Sequence, residues 1–154
     1  MIDTTELDTL ARSITGEVTS QDPEHESSPT YFYGEYERRR PRAVVQVADA
    51  ADVATVVRYA RDTDTPLTVR AGGHSIMGHS STDGGLVVDL ARLKRIDVDP
   101  DGRTAWADGG VLAGEYTAET SNYGLVTGFG DTPSVGISGI TLGGGVGSSI
   151  ASWD

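Results

Sequence analysis

Glycine is distributed very unevenly along this chain. Eighteen of its 20 glycines lie between Gly72 and Gly147, so the backbone there can bend and approach other atoms where a Cβ would collide. An apolar, β-type run at residues 67–69 leads directly into this region, and main-chain N–H groups at such a turn can contact a large anion. His74 follows the first glycine pair and adds a nucleophilic imidazole at the closest approach. This half of the chain is therefore expected to contact a large anionic cofactor.

The composition narrows the class of protein. The 154 residues carry a formal net charge of −11, with 15 Asp and 11 Arg but one lysine, Lys94. This balance opposes non-specific nucleic-acid binding, although backbone amides can bind phosphate without net positive charge. The lack of cysteine excludes disulfides, thiolate catalysis and iron–sulfur clusters. No apolar run is long enough to span a membrane and no signal sequence begins the chain, so we expect a cytoplasmic protein with no membrane partner.

The regular part of the chain begins with a β–α–β pattern. Residues 43–47 predict a strand, and Asp49 is a suitable N-cap for a helix with apolar residues at helical spacing. Pro66 ends that helix, and residues 67–70 and 86–90 predict further strands. The unit implies parallel strands joined by a crossover helix. The loop after residue 70 then leaves a strand at its carboxyl end, where open α/β sheets bind ligands.

The next segment changes to an antiparallel and helical pattern. Residues 95–98 and 103–107 flank the turn sequence Asp-Pro-Asp-Gly, which predicts a hairpin. Residues 111–123 predict a helix ended by Gly124. The periodicity then stops, so neither a helix nor a strand is predicted over residues 124–147.

These patterns predict an α+β fold. We expect a small parallel β–α–β subdomain together with a mixed or antiparallel β subdomain with helices. Residues 1–40 are predicted to be a polar N-terminal lead-in with a short helix near residues 6–14, and residues 41–154 to be the domain.

Several familiar motifs do not account for the glycines. A dinucleotide fingerprint requires G-x-G-x-x-G after a strand, and residues 145–150 lack both the third glycine and a clear strand. A P-loop requires a lysine that the sequence does not place there, and the nucleophile elbow G-x-S-x-G is one residue short at residues 136–139. His74 and His79 are five residues apart, which is no zinc pattern. We predict no metal site and keep a Rossmann NAD(P) protein as the weaker alternative.

Three segments, taken together, carry a resemblance to a known family. They are RAGGHS at 70–75, DGGLVVDL at 83–90 and PSVGISGITLGGGVG at 133–147. In this order they resemble the FAD-binding domain of the berberine-bridge-enzyme-like flavin oxidases, which belong to the vanillyl-alcohol-oxidase/PCMH superfamily. The resemblance runs from about residue 30 to residue 147. It implies a PCMH-type fold and FAD as the cofactor.

The resemblance implies a role for each glycine-rich segment. Residues 71–75 and 77–79 would wrap the FAD pyrophosphate, and residues 133–139 and 142–145 would lie along the isoalloxazine and ribityl chain. The histidine at the position of His74 bonds the flavin 8α-methyl group in this family, which also raises the flavin's reduction potential. The expected cofactor-binding residues are Arg70, Ala71, Gly72, Gly73, His74, Ser75, Met77, Gly78, His79, Pro133, Ser134, Val135, Gly136, Gly139, Leu142, Gly143, Gly144 and Gly145.

Three positions refine what the resemblance implies. Thr132 stands where many relatives have a second covalent anchor, a cysteine, so His74 is the single candidate anchor here. Val135 matches a position that controls oxygen access in plant relatives, and valine there implies oxidase behaviour. His79 stands where relatives often have a small or apolar residue, and we expect it at the surface or behind the residues that touch the cofactor.

The resemblance ends close to the end of the chain. Relatives continue after Gly147 into a substrate domain, and residues 148–154 do not resemble that continuation. We expect a fragment, a truncated reading frame, or a cofactor-binding half that needs a partner chain or self-association. No catalytic residue is evident.

Two hypotheses follow. The first is an FAD-binding module of a flavin-dependent oxidoreductase, in which substrate passes hydride to flavin N5 and oxygen reoxidises the flavin. A small-molecule substrate would then bind only with the missing domain. The alternative is a truncated, non-catalytic binding or assembly module that no longer holds flavin.

Overall fold

The computed structural model describes residues 4–20, 39–145 and 147. In chain order its helices and strands are α1 Thr4–Arg12, β1 Glu17–Ser20, β2 Ala43–Gln46, α2 Ala50–Asp62, β3 Leu67–Arg70, β4 Leu86–Asp89, β5 Ile96–Asp99, β6 Thr104–Ala107, α3 Ala113–Ser121 and α4 Ile137–Gly143. No helix within these ranges is long and apolar enough to cross a membrane.

The first four strands form one sheet in the order β1-β2-β4-β3. Strands β2 and β3 both pair in parallel with β4, and β1 adds to β2 in antiparallel fashion. The predicted parallel strands are therefore confirmed, but β4 lies between the two strands that the crossover helix joins. All four residues of β4 are buried, as expected for a central strand of a parallel sheet that is covered on both faces.

The crossover helix α2 begins with a carboxylate cap, as predicted. The side chain of Asp49 accepts a hydrogen bond from the N–H of Asp52, and its backbone is extended. Val56 is fully buried in the core beside β2 and β4, and Ala60 lies one turn further along the same face. The apolar spacing that predicted the helix thus also identifies the face that packs on the sheet.

A buried carboxylate joins the beginning of the chain to this helix. Asp52 is 4% exposed and accepts N–H donors from Thr15 at 2.8 Å, Gly16 at 2.8 Å and Ala48 at 2.9 Å. Burial raises the pKa of Asp52, but these three donors outweigh it and the net pKa lies below the ordinary value of 3.8. The charged form therefore stabilises the fold.

The lead-in contributes to the core more than its polar sequence indicates. Leu7 and Leu10 of α1 are buried in the main core cluster with Val45, Val47 and Leu86. Strand β1 is not predicted from the sequence, because only Val18 on it is even partly buried. Residues 21–38 lie outside the described residues, and the division of the chain at residue 40 stays a prediction.

A second, smaller cluster supports the rest of the chain. The predicted hairpin is confirmed as β5 and β6, which pair in antiparallel fashion, and α3 is shorter than predicted by about two residues at each end. Val111, Ala113 and Ile137 are the buried centre of this cluster. Tyr116 and Phe129 pack beside them with perpendicular rings 5.3 Å apart. The α+β class, with one parallel and one antiparallel unit, is confirmed.

Helix α4 is the main element that the sequence does not predict. Two of its interior residues, Gly139 and Thr141, are poor helix formers. Ile137 in its first turn is buried in the second cluster, and Ser138 Oγ donates to the carbonyl of Gly109 at 2.8 Å. Tertiary packing therefore fixes a helix that local propensity does not favour.

Candidate functional site

The two glycine-rich segments meet at one cavity of about 540 Å³. Twelve of the predicted residues line it. They are Ala71, Gly72, Gly73, His74, Ser75, Met77, His79, Val135, Gly136, Gly139, Gly143 and Gly144. The segments are some 60 residues apart in sequence, and the loop after β3 supplies one wall while α4 and the turn before it supply the other. The cavity thus lies at the carboxyl end of a parallel strand, where α/β sheets place ligands.

The other predicted residues lie behind or beside the cavity. Arg70 pairs with Asp89 at 2.7 Å, and Gly78 is buried in the loop. Pro133 packs against Gly114, Gly145 lies against the side chain of Ile140, and Leu142 is 89% exposed. Ser134 reaches the cavity through its contact with His74, described below.

Four lining residues were not predicted. They are Val69, Ile76, Ser80 and Ile140. The alternation of side chains along a strand could have identified Val69 as a lining residue, since it is half exposed on an edge strand. Helical spacing from Gly136 could have identified Ile140, but only once α4 is known to be a helix. The sequence holds no comparable signal for Ser80.

The two walls touch through backbone atoms at a pair of glycines. A Cβ on Gly72 would lie 2.4 Å from the nitrogen of Gly136 and 2.5 Å from the carbonyl oxygen of Ser134. A Cβ on Gly136 would lie 2.5 Å from the nitrogen of Gly72. Because backbone atoms cannot move aside cheaply, only glycine fits at both positions.

A side-chain hydrogen bond crosses between the same two loops. His74 Nε2 lies 2.9 Å from Ser134 Oγ. The imidazole is partly buried, and no described residue is a partner for its Nδ1. One ring nitrogen is thereby held in place while the other is available.

The loop that follows His74 is fixed by its own turn and by an arginine. The carbonyl of Ser75 accepts the N–H of Gly78 at 3.0 Å, and Ser75 Oγ accepts the N–H of His79 at 3.1 Å. Arg39 Nη1 donates to the carbonyls of Gly78 at 2.7 Å and Ser81 at 3.1 Å. The guanidinium therefore holds the far end of the loop.

The end of β3 is held by an ion pair. Arg70 Nη2 and Asp89 Oδ2 are neighbours across the sheet, with side chains 25% and 11% exposed. The second carboxylate oxygen of Asp89 accepts the N–H of Ala91 at 2.8 Å. This pairing sets the exit direction of the chain at residue 71 and hence the wall of the cavity.

Polar groups on this wall are left without partners. Across residues 72–77, six successive backbone N–H groups have no acceptor among the described residues. The hydroxyl of Ser80 is buried and also has no partner within the described ranges. A buried hydroxyl such as that of Ser80 is normally paired. Together with the run of free N–H groups, it fits an anionic ligand with several oxygen atoms, such as a pyrophosphate.

The opposite wall carries two glycines that the protein's own packing does not require. A Cβ on Gly139 or Gly143 would meet no atom within 4 Å. These residues are one turn apart on α4 and both line the cavity, so they leave bare backbone facing it. Val135 and Ile140 add apolar surface to this wall, and Val69 of β3 also lines the cavity. This wall suits a planar ring system.

Comparison with known proteins identifies this ligand class. Residues 41–153 match the family model described as FAD binding domain. The chain belongs to this FAD-binding family. It is 37% identical over 135 residues to (R)-6-hydroxynicotine oxidase of Paenarthrobacter nicotinovorans, covering 88% of this chain and 30% of that protein.

Solved structures agree on the fold of the FAD-binding domain. The 6-hydroxy-D-nicotine oxidase of Arthrobacter nicotinovorans superimposes with a TM-score of 0.80 at 38% identity, over 88% of this chain and 30% of that one. A berberine-bridge-enzyme-like protein of Physcomitrella patens gives a TM-score of 0.82 at 30% identity, over 93% and 32%. The chain therefore has the PCMH-type FAD-binding fold and spans about a third of the length of these relatives.

The cavity of the FAD-binding domain fits the cofactor on the evidence of its own atoms. The free N–H groups of residues 72–77 and the hydroxyl of Ser80 would hold the pyrophosphate. The bare backbone at Gly139 and Gly143 would lie against the isoalloxazine. His74 and His79 are the titratable side chains among the described residues that line the cavity.

Proposed function

We propose that this FAD-binding domain carries its flavin covalently on His74 and serves an FAD-linked oxidase. The observation that supports this most directly is the position of His74. Its imidazole is at the junction of the two cavity walls, one nitrogen is held by Ser134, and the other is without a partner among the described residues. An immobilised imidazole with a free nitrogen is a suitable nucleophile for the flavin 8α carbon.

The residues of this chain bind and orient the cofactor. When bound, flavin supplies hydride acceptance from substrate and electron transfer to dioxygen. The loop after β3 would hold the pyrophosphate, and α4 would support one face of the ring and keep water from it. Attachment to His74 would prevent loss of the cofactor. These roles are positioning roles, and none of them requires a proton-transferring side chain at the substrate.

Oxidation of a substrate also needs groups that the described cavity does not offer. Its described lining has no carboxylate, tyrosine or lysine to accept a proton from a substrate. We propose that such a base comes from outside the described residues, on an adjoining domain or a partner chain. The chain by itself would then bind FAD but oxidise substrate weakly or not at all.

Two residues support an oxidase with a single covalent bond. Thr132 stands where a cysteine would be needed for a second covalent bond to the flavin. Its hydroxyl donates a hydrogen bond to Asp131 Oδ1 at 3.2 Å. Val135 lines the cavity and is small enough to leave space for dioxygen beside the ring. The relative's designation as an oxidase points in the same direction.

The proposal is tested by adding FAD to the purified chain and precipitating the protein with acid. We expect yellow, acid-stable flavin in the unsubstituted chain and in His79→Ala, and its loss in His74→Ala with reversible FAD binding retained. His79→Ala is the matched control because this histidine lines the same cavity. A chain that binds no FAD, in either form, would contradict the proposal.

The second candidate function is an assembly module, and exposed apolar side chains favour it. Ile76 is 51% exposed, Met77 56% and Leu142 89%. All three lie on the loop and helix that form the cavity walls. Light scattering tests this alternative, which predicts a dimer that does not take up FAD. A monomer that binds FAD would contradict it.

A further inference from the structure

The contact between His74 and Ser134 is a side-chain link between the two cavity walls. Ser134 Oγ lies 2.9 Å from His74 Nε2 and has no other partner among the described residues. The hydroxyl is therefore committed to the imidazole. The backbone next to it is closely packed as well, because the carbonyl oxygen of Ser134 lies 2.5 Å from the position that a Cβ on Gly72 would take.

We propose that Ser134 is a positioning residue for covalent attachment, which orients the His74 ring and keeps its proton on Nε2. The inference rests on the proposed attachment of FAD to His74. A histidine ring rotates about a broad, two-fold torsion, and the nitrogen that carries the proton is set by the hydrogen bond that the ring makes. When Oγ accepts from Nε2–H, Nδ1 keeps its lone pair and is the nucleophile.

The attachment reaction balances with dioxygen as the oxidant. Nδ1 forms a bond to the 8α carbon, a C–H bond at that carbon breaks, and its electron pair enters the isoalloxazine. Two protons accompany these electrons, one from the 8α carbon and one from Nε2. Dioxygen then takes up both electrons and both protons as hydrogen peroxide, which leaves the attached flavin oxidised.

A hydroxyl can hydrogen-bond to His74 both before and after the flavin is attached. Before attachment Ser134 Oγ accepts from Nε2–H, and after attachment Nε2 has lost its proton and can accept from Oγ–H. Serine and threonine can make both hydrogen bonds, whereas alanine makes neither. Ser134→Thr should therefore retain the function that Ser134→Ala loses.

The tautomer is measured first, on the chain without flavin. Imidazole ¹⁵N chemical shifts of His74, assigned with His74→Ala, should show the proton mainly on Nε2. Ser134→Ala should give shifts averaged between the two tautomers, and Ser134→Thr should restore the original ones. A proton fixed on Nδ1, or shifts unaffected by Ser134→Ala, would overturn the inference.

The rate of attachment is measured next, with FAD in excess and acid-stable flavin as the readout. Loss of one hydrogen bond should slow Ser134→Ala by about tenfold, with Ser134→Thr within about threefold of the unsubstituted chain. Both rates are measured at saturating FAD, so that any change in reversible FAD affinity does not enter the comparison. Equal attachment rates at saturating FAD would overturn the positioning role.

The remaining outcomes separate this inference from the proposed function. A chain that binds FAD reversibly but never attaches it retains the FAD-binding role and overturns both covalent attachment and the role of Ser134. A chain that binds no FAD overturns the proposed function as a whole.

Discussion

The glycines around the cavity form two groups that are present for opposite reasons. At Gly72 and Gly136 an added Cβ would lie within 2.5 Å of backbone atoms of the facing loop. At Gly139 and Gly143 an added Cβ would touch nothing within 4 Å. The first pair is demanded by the protein's own packing. The second pair is not required by that packing, and because both of its residues line the cavity, they are the glycines that a ligand from outside would contact.

Polar groups also fall into two classes, those paired within the scaffold and those without a partner. The carboxylate of Asp52 uses three backbone N–H donors within the scaffold, whereas the N–H groups of residues 72–77 and the hydroxyl of Ser80 have no partner in the described part of the chain. Changes in the scaffold should therefore alter the stability of the flavin-free chain. Changes to the ligand-facing groups should alter FAD affinity instead.

The largest effect is expected for Gly72→Ala. Its Cβ would collide with the nitrogen of Gly136, so the walls must separate and the free energy of unfolding should fall by about 3 kcal/mol. Chemical denaturation of the flavin-free chain measures this. A variant as stable as the unsubstituted chain would show that the two loops do not touch.

Asp52→Asn should have the next largest effect and should depend on pH. One amide oxygen cannot replace a carboxylate that accepts three N–H donors, so stability at pH 7 should fall by about 2 kcal/mol. The pKa of Asp52 is lowered in the folded state, so its contribution is present above the unfolded pKa and is lost as pH falls through the folded pKa.

The pH dependence supplies the control for that variant. Denaturation midpoints should differ between Asp52→Asn and the unsubstituted chain at neutral pH and converge as pH falls below about 4. A difference that stays constant across this range would contradict the charged role of Asp52. FAD affinity should be unaffected because the residue does not line the cavity.

Gly139→Ala should lower FAD affinity without lowering stability, the reverse of what Asp52→Asn should do. Alanine is the better helix former, so the flavin-free chain should be more stable by about 0.5 kcal/mol. FAD affinity should fall by about tenfold, because the new methyl group would occupy space beside the ring. Fluorescence titration with FAD measures the affinity, and unchanged binding would refute a ligand-facing role for this wall.

The smallest effect is expected for Ser80→Ala, with Ser138→Ala as the matched control. Removing the unpartnered hydroxyl of Ser80 should leave stability within about 0.5 kcal/mol and weaken FAD binding about threefold. Ser138 donates to Gly109, so its loss should cost about 1 kcal/mol of stability and leave FAD affinity unchanged. Identical behaviour of the two variants would remove the distinction between groups paired within the scaffold and groups that face the ligand.

Much of the scaffold could be predicted because its signals are local. The cap at Asp49 and the apolar run of β4 each depend on a few neighbouring residues, and both are found as predicted. The place of β4 between β2 and β3 depends on long-range pairing. Helix α4 depends on burial of Ile137 in a distant cluster, so sequence periodicity did not reveal it.

The residues of the site were likewise predictable where their signals are local. The glycine segments and His74 carry their own signals in the sequence, and the structure brings both segments to one cavity. The inclusion of Ser80 and Ile140 depends on side-chain directions that only the folded chain sets. The difference between packing-required and ligand-facing glycines could not be read from sequence, because both kinds are the same residue.

Above all, we infer that the walls formed by the two glycine segments bind FAD. Backbone ¹H–¹⁵N spectra of the chain, recorded with and without FAD, test it directly. We predict the largest changes at the unpartnered N–H groups of residues 72–77 and at residues 139–144 of the opposite wall, with β5 and β6 unchanged. Spectra that do not change, or changes confined to the hairpin, would contradict the account.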